Sequence, residues 1–192
     1  MRKNLFRTAS PILVGVATIC APLAPHAAPL QDENILVTIP NDFQAGYRDE
    51  QGPMILAEYV PRGETVSMWS RMITVQVFRN LKKFDPGQFA GGMKQSWLSA
   101  CAGSEVQHVK DGQENGYPFS VWLFACPLNA RTGKPENMFA KFIGGNDALY
   151  SIQYAYRSEL TKEIVSPTMA YLGGIQACDT RLPDRPCPSV AP

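Results

Sequence analysis

The sequence predicts an α+β domain, an antiparallel β-sheet packed with two helices. Two observations carry that prediction. Runs of β-rich, period-two sequence follow one another through turn chemistry and not through crossover helices, which makes neighbouring strands antiparallel. Two other segments, one after Asp85 and one after Leu160, carry their apolar residues at helical spacing.

The elements follow in order. Residues 35–39 form a short β-rich run ended by Pro40-Asn41, and residues 54–60 a second run closed by Pro61 and Gly63. Residues 71–78 place Ile73, Val75 and Val77 on one face and Met72, Thr74, Gln76 and Phe78 on the other, the mark of a central strand. Asp85-Pro86 reads as a helix start, a cap followed by proline in the first turn, and Phe89, Met93, Trp97 and Cys101 then form one stripe. Gly91-Gly92 weakens this helix by roughly 1 kcal/mol per glycine relative to alanine, so packing must hold it.

Residues 105–110 and 117–126 form a predicted hairpin around Asp111-Gly112 and Asn115-Gly116. Residues 138–143 and 149–157 form a second around Gly144-Gly145-Asn146-Asp147, with Tyr150, Ile152, Tyr154 and Tyr156 on one face. Residues 160–177 carry Leu160, Ile164, Thr168, Leu172 and Ile175 at helical spacing. Pro167 should kink that helix or start its second half with Ser166 as cap, and Gly173-Gly174 loosens it.

The chain opens with Arg2, Lys3 and Arg7, then an apolar run over residues 11–21, then small residues and prolines up to Ala27 and Ala28. These are the three parts of a secretory signal peptide, cut after Ala27 or Ala28. The run is shorter than the roughly 20 residues that span a bilayer. Cys20 offers a rival reading as a lipid-modified cysteine, but Ile19 is not the small residue such processing wants. The expected organisation is a signal peptide over 1–27, a single domain over 28–177 and a disulfide-closed, Pro-rich tail over 178–192. The expected location is the periplasm or the cell exterior.

The 18 basic side chains, less the three in the leader, leave 15 against 17 acidic ones, with no block of like charge. Nucleic-acid binding needs a concentrated basic face, and this balance argues against it. Of five cysteines, four follow the leader, an even count suited to two disulfides in an oxidising compartment. Three pairings are possible. The expected one joins Cys101 to Cys126, tying a helix end to a strand, and Cys178 to Cys187, closing a short loop. No Cys-x-x-Cys redox pattern is present.

With His26 in the leader, His108 is the sole histidine of the predicted domain, which excludes a multi-histidine metal site. It lies in a strand without a nucleophile motif and reads as a structural or surface histidine. Arg131-Thr132-Gly133-Lys134-Pro135 has the look of a phosphate loop, but Leu128 and Pro135 stand where that motif needs glycine and Ser/Thr, so it reads as a surface turn. Glu58, Glu64, Glu105, Asp147 and Glu159 could include a catalytic pair, while Asp42, Asp49 and Glu50 read as solvated charges. No Asp-x-Asp-x-Asp-Gly calcium loop occurs. No catalytic, cofactor-binding or metal-ligating residue is assigned. Trp69, Trp97, Trp122, Tyr150, Tyr154 and Tyr156 could form an interaction surface if a sheet face were left uncovered. Otherwise the tyrosines pack beneath the last helix.

The order of elements over residues 35–177, including Ile39-Pro40-Asn41-Asp42-Phe43 after a strand, resembles the PsbP-like fold shared with DcrB-like exported bacterial proteins. That resemblance implies a sandwich of sheet and helices. Trp122-Leu123-Phe124-Ala125-Cys126-Pro127-Leu128 and residues 178–185 resemble a group of uncharacterised exported proteobacterial proteins. Folds of this kind imply accessory or binding roles more often than catalysis. The expected function is a non-enzymatic exported accessory or binding protein with a protein partner. An alternative is an inhibitor or immunity-type protein acting on a cell-wall hydrolase, which a protruding rigid loop over residues 129–137 would favour. A third reading, a hydrolase, requires two acids about 5–9 Å apart in a cleft.

Overall fold

In the computed structural model, residues 30–188 are described. The predicted signal peptide and Cys20 lie outside them. In chain order the elements are β1 (Glu33–Leu36), β2 (Phe43–Gln51), β3 (Met54–Pro61), β4 (Arg71–Phe78), α1 (Pro86–Ala100), β5 (Glu105–Glu114), β6 (Tyr117–Asn129), β7 (Lys134–Gly144), β8 (Leu149–Tyr156), α2 (Lys162–Gly173) and β9 (Gln176–Asp179). Seven of the strands make one sheet in the order β2-β3-β4-β8-β7-β6-β5, every neighbouring pair antiparallel. β1 and β9 pair separately, Glu33 opposite Asp179 and Leu36 opposite Gln176. The architecture is α+β, with one helix on each face of the sheet.

Strand alternation divides the core in two. Met72, Phe124, Met138, Ala140, Phe142 and Ala155 point to the α1 face, where Phe89, Met93 and Trp97 of the helix pack against them. Asp85 starts α1 by accepting a hydrogen bond from the Gln88 N–H at 2.8 Å, with Pro86 in the first turn. Ile73, Phe139, Ile143, Tyr150, Ile152, Tyr154 and Tyr156 point to the other face, covered by α2 and the β1–β9 pair. Disulfides join Cys101, just past α1, to Cys126 on β6, and Cys178 on β9 to Cys187.

Four local expectations are corrected. β2 lies in a stretch read as connection. Only Phe43 of its nine residues is buried, and as an edge strand it pairs on one side alone, so it carries no apolar alternation. Conversely, residues 37–39 are not strand. β1 ends at Leu36 and pairs with β9, outside the main sheet. Of the two hairpin signals, Asn115-Gly116 makes the turn, both at positive φ (48° and 74°), whereas Asp111-Gly112 stays in β5 with Gly112 lying against the Phe119 ring.

The last helix starts after Thr161, runs on through Pro167 with no second start at Ser166, and stops at Gly173. Residues 176–179 are strand because Ala177 and Cys178 are buried in extended backbone beyond the glycine pair.

One buried cation was not foreseen. Lys141, on β7 beneath α2, is 2% exposed. Its Nζ donates to the Glu114 carboxylate, to the Leu172 carbonyl (3.0 Å) and to the Ile175 carbonyl (2.6 Å), and sits 4.8 Å from the Phe119 ring centre. It thereby adds a donor to the Leu172 carbonyl, which also accepts from the Ile175 N–H (3.3 Å), and to the Ile175 carbonyl just beyond α2. Burial pushes its pKa down.

Candidate functional site

The α2 face is wider than its cover. Seven strands at about 4.8 Å spacing span about 29 Å, while the twelve residues of α2 make a rod about 18 Å long and 10 Å across. α2 lies toward the β7–β8 side, where Tyr171 meets Tyr154 edge-on at 5.4 Å and the Tyr156 and Thr168 hydroxyls are 2.6 Å apart. The β2–β3–β4 side is left to the chain around β1.

A groove of about 900 Å³ results. Its floor is Ile55, Ala57 and Tyr59 of β3 with Val75 and Val77 of β4, and Ile35, Val37 and Ile39 form the opposing wall.

Both ends of that wall are pinned. The Glu33 carboxylate accepts from the Asn146 N–H (2.7 Å), the Asp147 N–H (3.0 Å) and the Tyr150 hydroxyl (2.9 Å). Arg181 bridges Asp147 and the buried Asp179, each at 2.6 Å. Its hydrogen bonds hold Asp179 below the usual carboxylate range, while burial, with Glu33 alongside, pushes the Tyr150 phenol up. At the other end Asn41 and Asp42 are fixed, the Asn41 carbonyl accepting from Arg62 (2.9 Å) and Asp42 pairing with Arg71 (2.9 Å).

The rim is charged. Arg79 pairs with Glu50 at 2.7 Å. Arg48 and Lys82 also line the groove and make no ion pair among the described residues. The arrangement offers an apolar floor, an apolar wall and two uncommitted cations at the mouth.

The residues considered from sequence fall elsewhere. The tyrosines of β8 are core, beneath α2 and β1: Tyr150, Tyr154 and Tyr156 are buried, the last two with rings stacked at 4.8 Å. Trp97 donates to the Ala125 carbonyl (3.3 Å), Trp122 to the Ser120 hydroxyl (2.6 Å), and Trp69 lies under Arg157. The His108 ring lies tilted against Trp122 (centres 5.1 Å apart), with Nε2 2.9 Å from the Asp111 carboxylate at the surface.

The carboxylates considered from sequence lie on separate elements. Glu58 is on β3 with its pKa raised by burial, Glu105 opens β5, and Asp147 is held by Arg181. Glu64 accepts from the Ser70 N–H (2.6 Å) and hydroxyl (2.7 Å), and Glu159 follows β8. Among the described residues no group of three His, Cys, Asp or Glu is arranged to hold a metal ion, and no helix is long and apolar enough to cross a membrane.

Sequence reasoning missed the groove. Its usable signal was Val75 and Val77, which continue the alternation of Ile73 past the point where a twelve-residue helix can cover them.

No protein-family model matches the chain, and no curated protein matches it. Among solved structures, the chain is similar to several proteins. The Saccharomyces cerevisiae Ran-binding protein Mog1p has a TM-score of 0.44 at 16% identity, over 75% of this chain and 85% of that one. A point mutant of the protein Mog1 has 0.43 at 16%, over 71% and 78%. LpqN, described as involved in cell envelope biogenesis of Mycobacterium tuberculosis, has 0.40 at 12%, over 78% and 89%.

Proposed function

We propose that this is an exported, non-enzymatic binding protein whose groove takes an amphipathic ligand, an apolar chain carrying an acidic group. The single observation behind the reading is the β3–β4 floor facing Ile35, Val37 and Ile39 across the groove, with Arg48 and Lys82 making no ion pair among the described residues. A volume of about 900 Å³ falls in the range of small-molecule sites. Apolar surface draws the chain in, and the cations select an anionic head over a neutral one. Two disulfides support an oxidising compartment.

A protein partner would reach the same groove by pairing with the free edge of β2. That edge is bulged between Ala45 and Tyr47 and carries Arg48, Asp49 and Glu50, features that discourage strand addition. The inhibitor reading asked for a protruding loop over residues 129–137. There β6 and β7 run through Asn129 and Lys134, leaving residues 130–133 outside the strands.

The test is displacement of a fluorescent fatty acid from purified protein, with Val75→Arg and Arg48→Glu/Lys82→Glu as variants. Saturable binding is expected, weakened about ten-fold or more by either change. A parent protein that binds no acidic amphiphile, or variants that bind as well as the parent, would overturn the reading.

A further inference from the structure

At the opposite end of the sheet, the loop before β4 and the β6–β7 turn enclose a recess of about 610 Å³. The turn that resembled a phosphate loop in sequence is there. Pro135 follows its lysine and leads into a strand, so no helix N-terminus can serve a nucleotide. The turn instead delivers side-chain cations.

Its backbone is set by Asn129, whose carbonyl accepts from the Gly133 N–H (2.8 Å) and whose Oδ1 accepts from the Arg131 N–H (2.9 Å). Gly133 holds a φ of 64° that side chains disfavour. Arg131 and Lys134 are thus placed on the recess wall without any ordering of the turn.

The third cation comes from the end of β8. The Arg157 guanidinium carbon lies over the Trp69 ring, 4.0 Å from its centre. Among the described residues the guanidinium is poorly satisfied. Its Nη1 reaches the Ser67 carbonyl at 3.4 Å, Nε is buried with no hydrogen bond, and the Glu136 carboxylate stands 3.8 Å away while accepting from Asn129 (3.0 Å). The Thr132 hydroxyl is also buried without a partner. Glu64 is the single carboxylate in the lining, and Ser70 already takes both its oxygens. Three cations face two acids, Glu64 in the lining and Glu136 beside Arg157, both already engaged, and with hydroxyls beside them they describe a site for an oxyanion.

We infer that the recess between Trp69 and the Arg131–Lys134 turn is a phosphate-recognition site, distinct from the sheet groove, that takes a phosphate ester group. Arg157, held over Trp69, supplies the fork, and Arg131 and Lys134 close on the remaining oxygens.

The ester can come from a soluble metabolite or a phospholipid headgroup, and two arms separate these. In the first, inorganic phosphate and glycerol phosphate are titrated into the ¹⁵N-labelled protein, following the Trp69 indole and the amides of residues 131–134. In the second, the protein is sedimented with phosphatidylglycerol vesicles, using phosphatidylcholine as the neutral control.

Saturable shifts with phosphate are expected, weakened about ten-fold in Arg131→Ala/Lys134→Ala. Both substituted side chains are exposed, so an unchanged melting temperature certifies that variant. Arg157→Lys keeps the charge but loses the fork and is expected to weaken binding as well. Selective sedimentation with phosphatidylglycerol that the double variant abolishes identifies a headgroup, and shifts without sedimentation identify a soluble ester. Unsaturable shifts across the millimolar range together with no sedimentation overturn the inference. So does a double variant that binds like the parent.

Discussion

Replacing Lys141 by methionine tests how the sheet holds its helix. The substitution keeps the unbranched stem inside a packed core and deletes the ammonium alone. Glu114, 15% exposed at its side chain, is left without its partner, the Ile175 carbonyl loses the ammonium donor, and the Leu172 carbonyl keeps the Ile175 N–H (3.3 Å). Breaking a buried ion pair from one side costs about 3–5 kcal/mol. Partial access of water to Glu114 favours the lower half of that range, so a loss of about 3–4 kcal/mol is expected.

For a domain of this size that lowers the melting temperature by about 6–16 °C. Lys141→Met/Glu114→Gln removes the stranded charge as well and should recover a substantial part of the loss. Urea unfolding followed by circular dichroism, with the disulfides kept intact, measures both variants. A single variant within about 1 kcal/mol of the parent, or a double variant no better than the single, would refute the argument that this lysine clasps the end of α2.

Alkaline pH should unfold the protein through its tyrosines. Burial pushes Tyr117 up to about 12 and raises Tyr150, Tyr156 and Tyr171 further. Unfolded tyrosines ionise near pH 10, so above that value the unfolded chain has released protons the folded chain keeps. Stability is then whole below about pH 10 and falls as pH rises toward the folded values. Phenolate absorbance recorded alongside circular dichroism should show these four titrating only as structure is lost. Ionisation of all seven tyrosines near pH 10 with the fold intact would contradict the burial. The two disulfides should also separate by loop length. Cys101→Ser/Cys126→Ser, opening a separation of 25 residues, is expected to cost about 3.5 kcal/mol. Cys178→Ser/Cys187→Ser, opening a separation of 9, is expected to cost about 2.7 kcal/mol in urea unfolding. The reverse order would place more of the stability in the β9 end than chain entropy allows.

Most of the fold was legible because its signals are local. Asp85-Pro86 announced α1, the stripe from Phe89 to Trp97 found its core, and Asn115-Gly116 set a turn that needs two positive φ values. The errors concern segments whose state is decided by neighbours distant in sequence. Residues 43–51 are polar and become a strand through pairing with β3. Residues 35–39 are apolar, yet their wall position depends on Glu33 reaching Asn146 and Asp147, more than a hundred residues away. Lys141 gave no warning, because its three acceptors come from β5 and the end of α2.

The missed groove and the misplaced strand are one error. With residues 35–39 counted as a sheet strand and residues 43–51 as connection, the sheet still has seven strands, and two helices look sufficient to cover it. Exchanging the two segments changes the surface in two ways. It takes Ile35, Val37 and Ile39 out of the sheet plane and sets them over it as a wall, and it places β2 beyond β3 so that Ile55 and Ala57 lie inside the sheet and form the floor with Val75. An apolar alternation such as Ile73-Val75-Val77 reads identically whether a helix, a wall or a ligand covers it. Cover is a matter of helix length against sheet width and of which strand forms the edge, so in an antiparallel α+β domain assigning the edge strand amounts to assigning the site.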